Sequence, residues 1–226
     1  MAGTGPAGRI GSKGRQFASR IRRLPVSIGY FRGPALMSRL RKWWVKLRNP
    51  HATIEFGKGV YLGPGFSLHM PFGGTFIAGP GAEFRRNFRA ETGENGRIEI
   101  GAHSYMTYDV IITADTTIDI GERCGFAQTC YVADGSHKYR DLDKPFLAQG
   151  YNYTPITIED DVQIHSKCTI VNSIGTRSVI GANAVVSRPI PPYCLAAGVP
   201  ARVIDYFGPP GLEPAELSTV NSERSG

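Results

Sequence analysis

At 226 residues the chain has room for one domain with appendages, and its 28 glycines and 16 prolines suit a backbone that turns every few residues. No apolar run is long enough to cross a bilayer and no signal-peptide core follows the start, so a cytoplasmic chain is expected. The net charge of +7 conceals an asymmetry: residues 1–50 hold twelve Lys or Arg and no Asp or Glu, which leaves fourteen basic against nineteen acidic residues in the remainder.

The chain opens with this basic arm, residues 1–50. Phe17, Ile21 and Leu24 share one helical face, as do Leu36, Leu40, Trp43, Trp44 and Leu47, with Arg and Lys interleaved and Pro25, Pro34 and Pro50 as breaks. This spacing predicts two short basic amphipathic helices. Two readings that do not exclude each other follow: peripheral attachment to the inner face of the cell membrane, since Trp at the edge of a basic face suits anionic headgroups, and a cap over the open first coil of a solenoid. Nucleic acid is not expected as a partner, because the arm has few aromatics spaced for base stacking and the body is acidic.

From residue 51 to 207 a different period takes over. Phe56, Leu62 and Leu68 make the first six-residue steps, residues 70–97 are less regular and are expected to form one or two distorted coils, and from Ile98 the repeat is firm. Large apolar residues recur as Ile100, Met106, Ile112, Ile120, Phe126, Val132, Ile158, Ile164, Ile170, Ile174, Ile180 and Val186. A companion row four places on reads Ser104, Val110, Thr116, Cys124, Cys130, Val162, Cys168, Ser178 and Ala184. A period of six fits neither an α-helix nor a lone amphipathic strand; it fits a prism with one short strand and one corner per hexapeptide, a parallel β-helix. The fold class is therefore all-β. Cys124, Cys130 and Cys168 lie in the small-residue row, Cys194 lies near a Pro pair, and no C-x-x-C spacing occurs, so the four thiols read as small buried hydrophobes. The repeat halts between Val132 and Ile158, which predicts an extruded loop over 133–157, and the four-residue step from Ile170 to Ile174 shortens one corner by two. Residues 208–226, rich in Pro, Gly, Ser and Glu, are expected to be a disordered tail.

These hexapeptides, the loop segment Ser136-His137 followed by RDLDKPFLAQG and PITIEDDV, the segment VIGANAVVSRPIPPY and the closing AGVPARVI together resemble the hexapeptide-repeat acyltransferases. The likeness is to their O-acetyltransferase branch, which includes galactoside, maltose and glycan acetyltransferases, and it runs from about Ile98 to Ile204. It implies a left-handed β-helix assembled as a homotrimer, acetyl-CoA or another acyl-CoA as donor, no metal, and a hydroxyl of a saccharide or glycolipid as acceptor. His137 is then the catalytic base. Acyl transfer to a hydroxyl needs a group to take the proton as oxygen attacks the thioester, and imidazole has the matching pKa.

Carried over residue by residue, the resemblance implies that Ser166 and Ala182 line the pantetheine groove. Ser187 and Arg188 stand where the family commonly has Thr-Lys, and Arg202 corresponds to a further donor contact; arginines suit the CoA phosphates. Thr107, thirty residues before His137, occupies a position that is often an Asn holding donor or acceptor, and Asp109 follows two further on; both are placed at the acceptor, with orienting His137 or facing solvent as the other readings of Asp109. The common DDVWIG reads DDVQIH here, with Gln163 for an aromatic and His165 for a glycine, and this leaves the acyl length open. Two other classes use the same features. A non-catalytic β-helix scaffold at the membrane would account for the arm and for the changes at 107, 163 and 165. A Zn-dependent hydro-lyase of the carbonic anhydrase type needs three His around the metal, but none of His51, His69, His103, His137 and His165 forms a close pair.

Overall fold

The six-residue period closes into coils because each hexapeptide buries one large side chain and then turns. The computed structural model describes residues 33–215 and 217, and the chain divides into two compact units, Met1–Leu40 and Arg41–Gly226. The second unit holds a left-handed β-helix whose parallel strands stack into three faces. Face one carries Thr53–Phe56, Thr75–Ala78, Arg97–Ile100, Thr117–Ile120 and Ile156–Ile158. Face two runs from Tyr61–Leu62 through Glu83–Arg86, Tyr105–Tyr108, Gly125–Phe126, Gln163–Ile164 and Val179–Ile180 to Cys194–Ala197, and ends with Arg202–Tyr206 as an antiparallel edge. Face three carries Ser67–His69, Arg89–Thr92, Ile111–Ala114, Tyr131–Ala133, Thr169–Ile170 and Val185–Val186.

All twelve large residues of the repeat from Ile100 to Val186 lie inside the prism, none more than 3% exposed. The small row is buried too, apart from half-buried Thr116. Its serines stay satisfied by bridging coils: Ser104 Oγ donates to Gly121 O and accepts from Cys124 N, and Ser178 Oγ donates to Pro191 O and accepts from Cys194 N. All four cysteines are buried, and none forms a disulfide.

Residues 70–97 form regular coils rather than distorted ones. Phe76, Phe84 and Ala90 sit in register with Ile98, Met106 and Ile112 on the next coil. Sizes are exchanged between the rows there: Ala78 and Ala90 stand in register with Ile100 and Ile112, while Phe88 takes the small-row place beside Val110 and packs with Phe66, Phe76 and Phe84, centroids 4.6 to 6.2 Å apart. The shortened corner appears as predicted, and face one narrows to single bridges from Ile158 to Ile174 and from Ile174 to Ile190.

Two of the three corners place one residue per coil in the left-handed region. Between faces one and two these are Gly59, Gly81, His103, Arg123, Asp161, Arg177 and Tyr193; between faces two and three they are Gly65, Asn87, Asp109, Thr129, Lys167 and Asn183. The backbone N–H of each such residue at the second corner, from Asn87 on, donates to the coil before it, at Pro64 O, Arg86 O, Tyr108 O, Gln128 O and Ser166 O in turn. The corner is thus a vertical column of equivalent positions.

Helix Gly33–Arg48 leads into the first coil. Its last two turns cap that coil through Val45, which is 4% exposed and joins the core, through Arg41 Nη1 donating to Leu62 O, and through Lys42 and Lys46 over the Phe56 ring. Asn49 closes the join: Nδ2 donates to Val45 O and Leu68 O, and Oδ1 accepts from Met70 N. The apolar residues of the sequence pattern do not make this cap; Trp43, Trp44 and Leu47 stand 62%, 51% and 56% exposed. The helix expected around Phe17–Leu24 lies outside the described residues. Of the expected tail, Tyr206 Oη donates to Pro209 O and Leu217 packs on the core, while 216 and 218–226 lie outside the described residues. Among the described residues no helix is long and apolar enough to cross a membrane.

Candidate functional site

The interruption after Val132 leaves the prism at the corner between faces three and one. Gly135–His137 pairs antiparallel with Tyr151–Tyr153, which makes the extruded loop a short hairpin. Beyond it a 3-10 turn at Phe146–Ala148 is braced by Gln149, whose Nε2 donates to Asp141 O and Lys144 O and whose Oε1 accepts from Asp141 N. His137 is exposed at the end of its strand, with its ring centroid 4.3 Å from that of Tyr151.

The foot of the hairpin is pinned by a residue that sequence reasoning missed. Asp134, 4% exposed, accepts from Asp115 N at 2.9 Å, from Thr116 N at 2.7 Å and from Thr116 Oγ1 at 2.7 Å, and its carbonyl accepts from Thr154 N. Three donors satisfy the buried carboxylate and fix both hairpin strands to the preceding coil. Burial, with the Asp134 charge beside it, raises the neighbouring Asp115 carboxyl above the usual carboxylate range. The only sequence signal at Asp134 is its position as the first polar residue after the repeat stops.

The other corner of face three, shared with face two, gathers most of the remaining sequence-predicted residues. The column through this corner reads Pro64, Arg86, Tyr108, Gln128, Ser166 and Ala182. One position earlier on face two, Thr107 stacks with Ala127, His165, Gly181 and Ala197, as the flanking register requires. The wall here is built of small residues, with the His165 side chain exposed among them. Among the described residues, Thr107 Oγ1 is buried with no hydrogen-bond partner. Asp109 is the left-handed residue of its coil and its Oδ1 accepts from Asn87 Nδ2 at 2.9 Å, which ties it to this corner and away from the hairpin. Gln163 Oε1 accepts from Tyr105 Oη at 3.2 Å. Arg202 pairs with Ala197 at the end of the same wall, and its Nη1 donates to Ala201 O.

Ser187 and Arg188 follow strand Val185–Val186 and so lie at the hairpin's corner, where Asn172 Nδ2 donates to Ser187 O. The fold therefore brings Thr107, Asp109, Ser166, Ala182 and Arg202 to one edge of face three, and His137, Ser187 and Arg188 to the other. A concavity of about 610 Å³ on face one, lined by Glu99, Asp119, Glu122, Glu159 and Asp160 among others, contains none of them. Among the described residues no three His, Cys, Asp or Glu side chains are grouped to hold a metal.

No family model matches the chain. It is 32% identical over 168 residues to the Mycobacterium tuberculosis protein named "Probable acetyltransferase Rv3034c", covering 70% of this chain and 53% of that one. It is 37% identical over 111 residues to galactoside O-acetyltransferase of Escherichia coli, covering 47% and 53%. The chain thus spans about half the length of these curated relatives. Among solved structures, the hexapeptide-repeat-containing acetyltransferase VCA0836 of Vibrio cholerae, complexed with acetyl coenzyme A, shares the fold with a TM-score of 0.56 at 21% identity, covering 90% of this chain and 94% of that one. In sequence the chain is similar to proteins named as acetyltransferases, and it has the β-helix of the hexapeptide-repeat acyltransferase family.

Proposed function

We propose that the chain is a CoA-dependent O-acyltransferase, with acetyl as the default group and a saccharide or glycolipid hydroxyl as acceptor. The observation that carries this reading is the pinned hairpin, which holds an exposed imidazole clear of the prism wall on a chain similar in sequence to acetyltransferases. The galactoside named for one relative supports a sugar as acceptor. In this reaction the acceptor oxygen attacks the thioester carbonyl while His137 takes its proton. Backbone N–H groups near Ser166 hold the developing oxyanion. Collapse then expels the CoA thiolate, which recovers the proton from the imidazolium. The pantetheine arm lies along the small-residue wall at Ser166 and Ala182, and Ser187, Arg188 and Arg202 meet the CoA phosphates. Thr107 lines the acceptor end of this wall, and Asp109 holds an acceptor hydroxyl.

His137 and the small-residue wall occupy opposite edges of face three, so a complete site takes the hairpin of one chain and the wall of its neighbour. That is what a homotrimer supplies. The exposed Trp43, Trp44 and Leu47, flanked by Lys42, Lys46 and Arg48, would set the enzyme against an anionic membrane surface carrying a lipid-linked acceptor.

The test is thiol release from acetyl-CoA across a panel of glycans. Turnover should require both a glycan and His137, with His137→Ala and His137→Asn still binding CoA, and charge reversal at Arg188 and Arg202 should raise the donor KM. A fully active His137→Ala enzyme would remove the base assignment. Sedimentation with anionic vesicles should fall on deletion of residues 1–50, and no binding by the full chain would end the membrane reading.

A further inference from the structure

Beside His137 the hairpin presents two tyrosines that the proposed reaction leaves without a task. The register pairs Gly135 with Tyr153, Ser136 with Asn152 and His137 with Tyr151. Directly opposed residues of an antiparallel pair point to the same side, and side chains alternate along each strand. His137, Tyr151 and Tyr153 therefore share one face of the hairpin, and Ser136 and Asn152 take the other. The rings form a continuous row: Tyr151 lies 4.3 Å from His137 and 5.8 Å from Tyr153, the two tyrosine planes only 14° apart. Both tyrosines remain exposed, at 43% and 44%.

Gly135 sets where this row ends. A Cβ there would stand 3.2 Å from both the Tyr153 ring and Asp115 Oδ2, so the missing side chain lets the ring lie close beside that carboxylate. Asp134 grips the backbone N–H of Asp115, while among the described residues no donor reaches the Asp115 carboxylate itself. The row thus begins at an imidazole, continues through two stacked and exposed tyrosine rings and ends at a half-buried carboxylate held in place by its backbone.

We propose that Tyr151, Tyr153 and Asp115 form the sugar subsite of this hairpin, with a pyranose ring packing against the exposed tyrosine rings and a hydroxyl donating to Asp115. The assignment rests on the reading of His137 as the base. A pyranose has one face of C–H bonds, apolar and slightly positive, which suits the negative face of an aromatic ring, and a rim of hydroxyls that pair with carboxylates. A ring seated there carries its opposite rim toward His137, where a hydroxyl must arrive to be deprotonated. The negative foot at Asp115 and Asp134 selects a neutral or amino sugar over one bearing an anionic group at that end.

The experiment is saturation-transfer NMR on the full chain with the methyl glycosides of galactose, glucose and N-acetylglucosamine, with acetyl-CoA thiol release measured alongside. At least one glycoside should receive saturation at its C–H protons. That signal should vanish in Tyr151→Ala/Tyr153→Ala and persist in Tyr151→Phe/Tyr153→Phe and in His137→Asn, because the ring face and not the hydroxyl makes the contact. Where a glycoside is acetylated, its KM should rise at least tenfold in the double alanine variant with the donor KM unchanged. Absence of binding by all three glycosides, or equal binding by the double alanine variant, overturns the subsite. An inactive His137→Asn alongside either result leaves the base reading standing. Binding lost with the tyrosines while His137→Asn stays active upholds the subsite and removes the base.

Discussion

Asp134 accepts from both the backbone N–H and the hydroxyl of Thr116 at 2.7 Å, a bond pair that reaches from the foot of the His137 hairpin to the corner of the preceding coil. Asp134→Ala removes these and the bond from Asp115 N, and should cost about 3 kcal/mol in denaturant unfolding. Asp134→Asn turns an amide N–H toward a backbone N–H and should cost about half as much. As a positioning residue, Asp134 should affect turnover separately from donor binding: kcat in the thiol-release assay should fall at least tenfold in both variants with the donor KM retained.

The left-handed corners tolerate Asn, Asp and Gly at little cost, but Thr129 is β-branched at φ 62°. It is exposed, and its N–H donates to Tyr108 O whatever its side chain. Thr129→Asn should therefore stabilise the chain by about 1 kcal/mol, read as a higher denaturation midpoint with an unchanged slope.

Phe84 is fully buried, 4.6 Å from Phe88 and 5.3 Å from Phe66 between ring centroids. Phe84→Ala leaves a cavity that neighbouring coils cannot close without breaking register, and should cost about 3–5 kcal/mol. Phe84→Leu should recover more than half of that loss in the same unfolding measurement.

Asp119 gives a stability effect with a defined sign. Burial raises its carboxyl pKa above 3.8, Glu99 across the ladder adds to the rise, and Arg97 opposes it; among the described residues no partner meets the buried Oδ1. A carboxyl whose folded pKa exceeds its unfolded value favours the fold most below the unfolded value, and that contribution is lost as pH rises through the folded value. Asp119→Asn should raise the thermal midpoint at pH 7 and leave it unchanged near pH 3. An equal shift at both pH values would point to packing rather than charge.

The prism was legible because a single constraint, one large residue per wall and one small residue per corner, writes itself into every coil from Ile100 to Val186. It was less legible at 70–97, where Ala78 and Ala90 stand in the large row and Phe88 in the small one, so the sizes are exchanged while the register is kept. The helix was readable as amphipathic, but its pattern did not say which face docks: Val45, Arg41 and Lys42 close the coil, while the tryptophans stay out. At the site, His137 stood out as a chemical group in a long excursion. Asp134, Tyr151 and Tyr153 did not, because their roles come from a corner contact and a cross-strand register that only the folded hairpin creates. Thr107, Ser166 and Ala182 were found as separate positions, and the fold makes them a single edge.

The claim that one chain's His137 serves a neighbour's donor groove is tested most directly by mixing two inactive variants. His137→Asn leaves the groove intact, and Ala182→Trp fills the groove while leaving the imidazole. Co-refolded together, they should recover acetyl-CoA turnover that neither shows alone. Mixed assemblies that form, bind CoA and remain inactive would contradict the account.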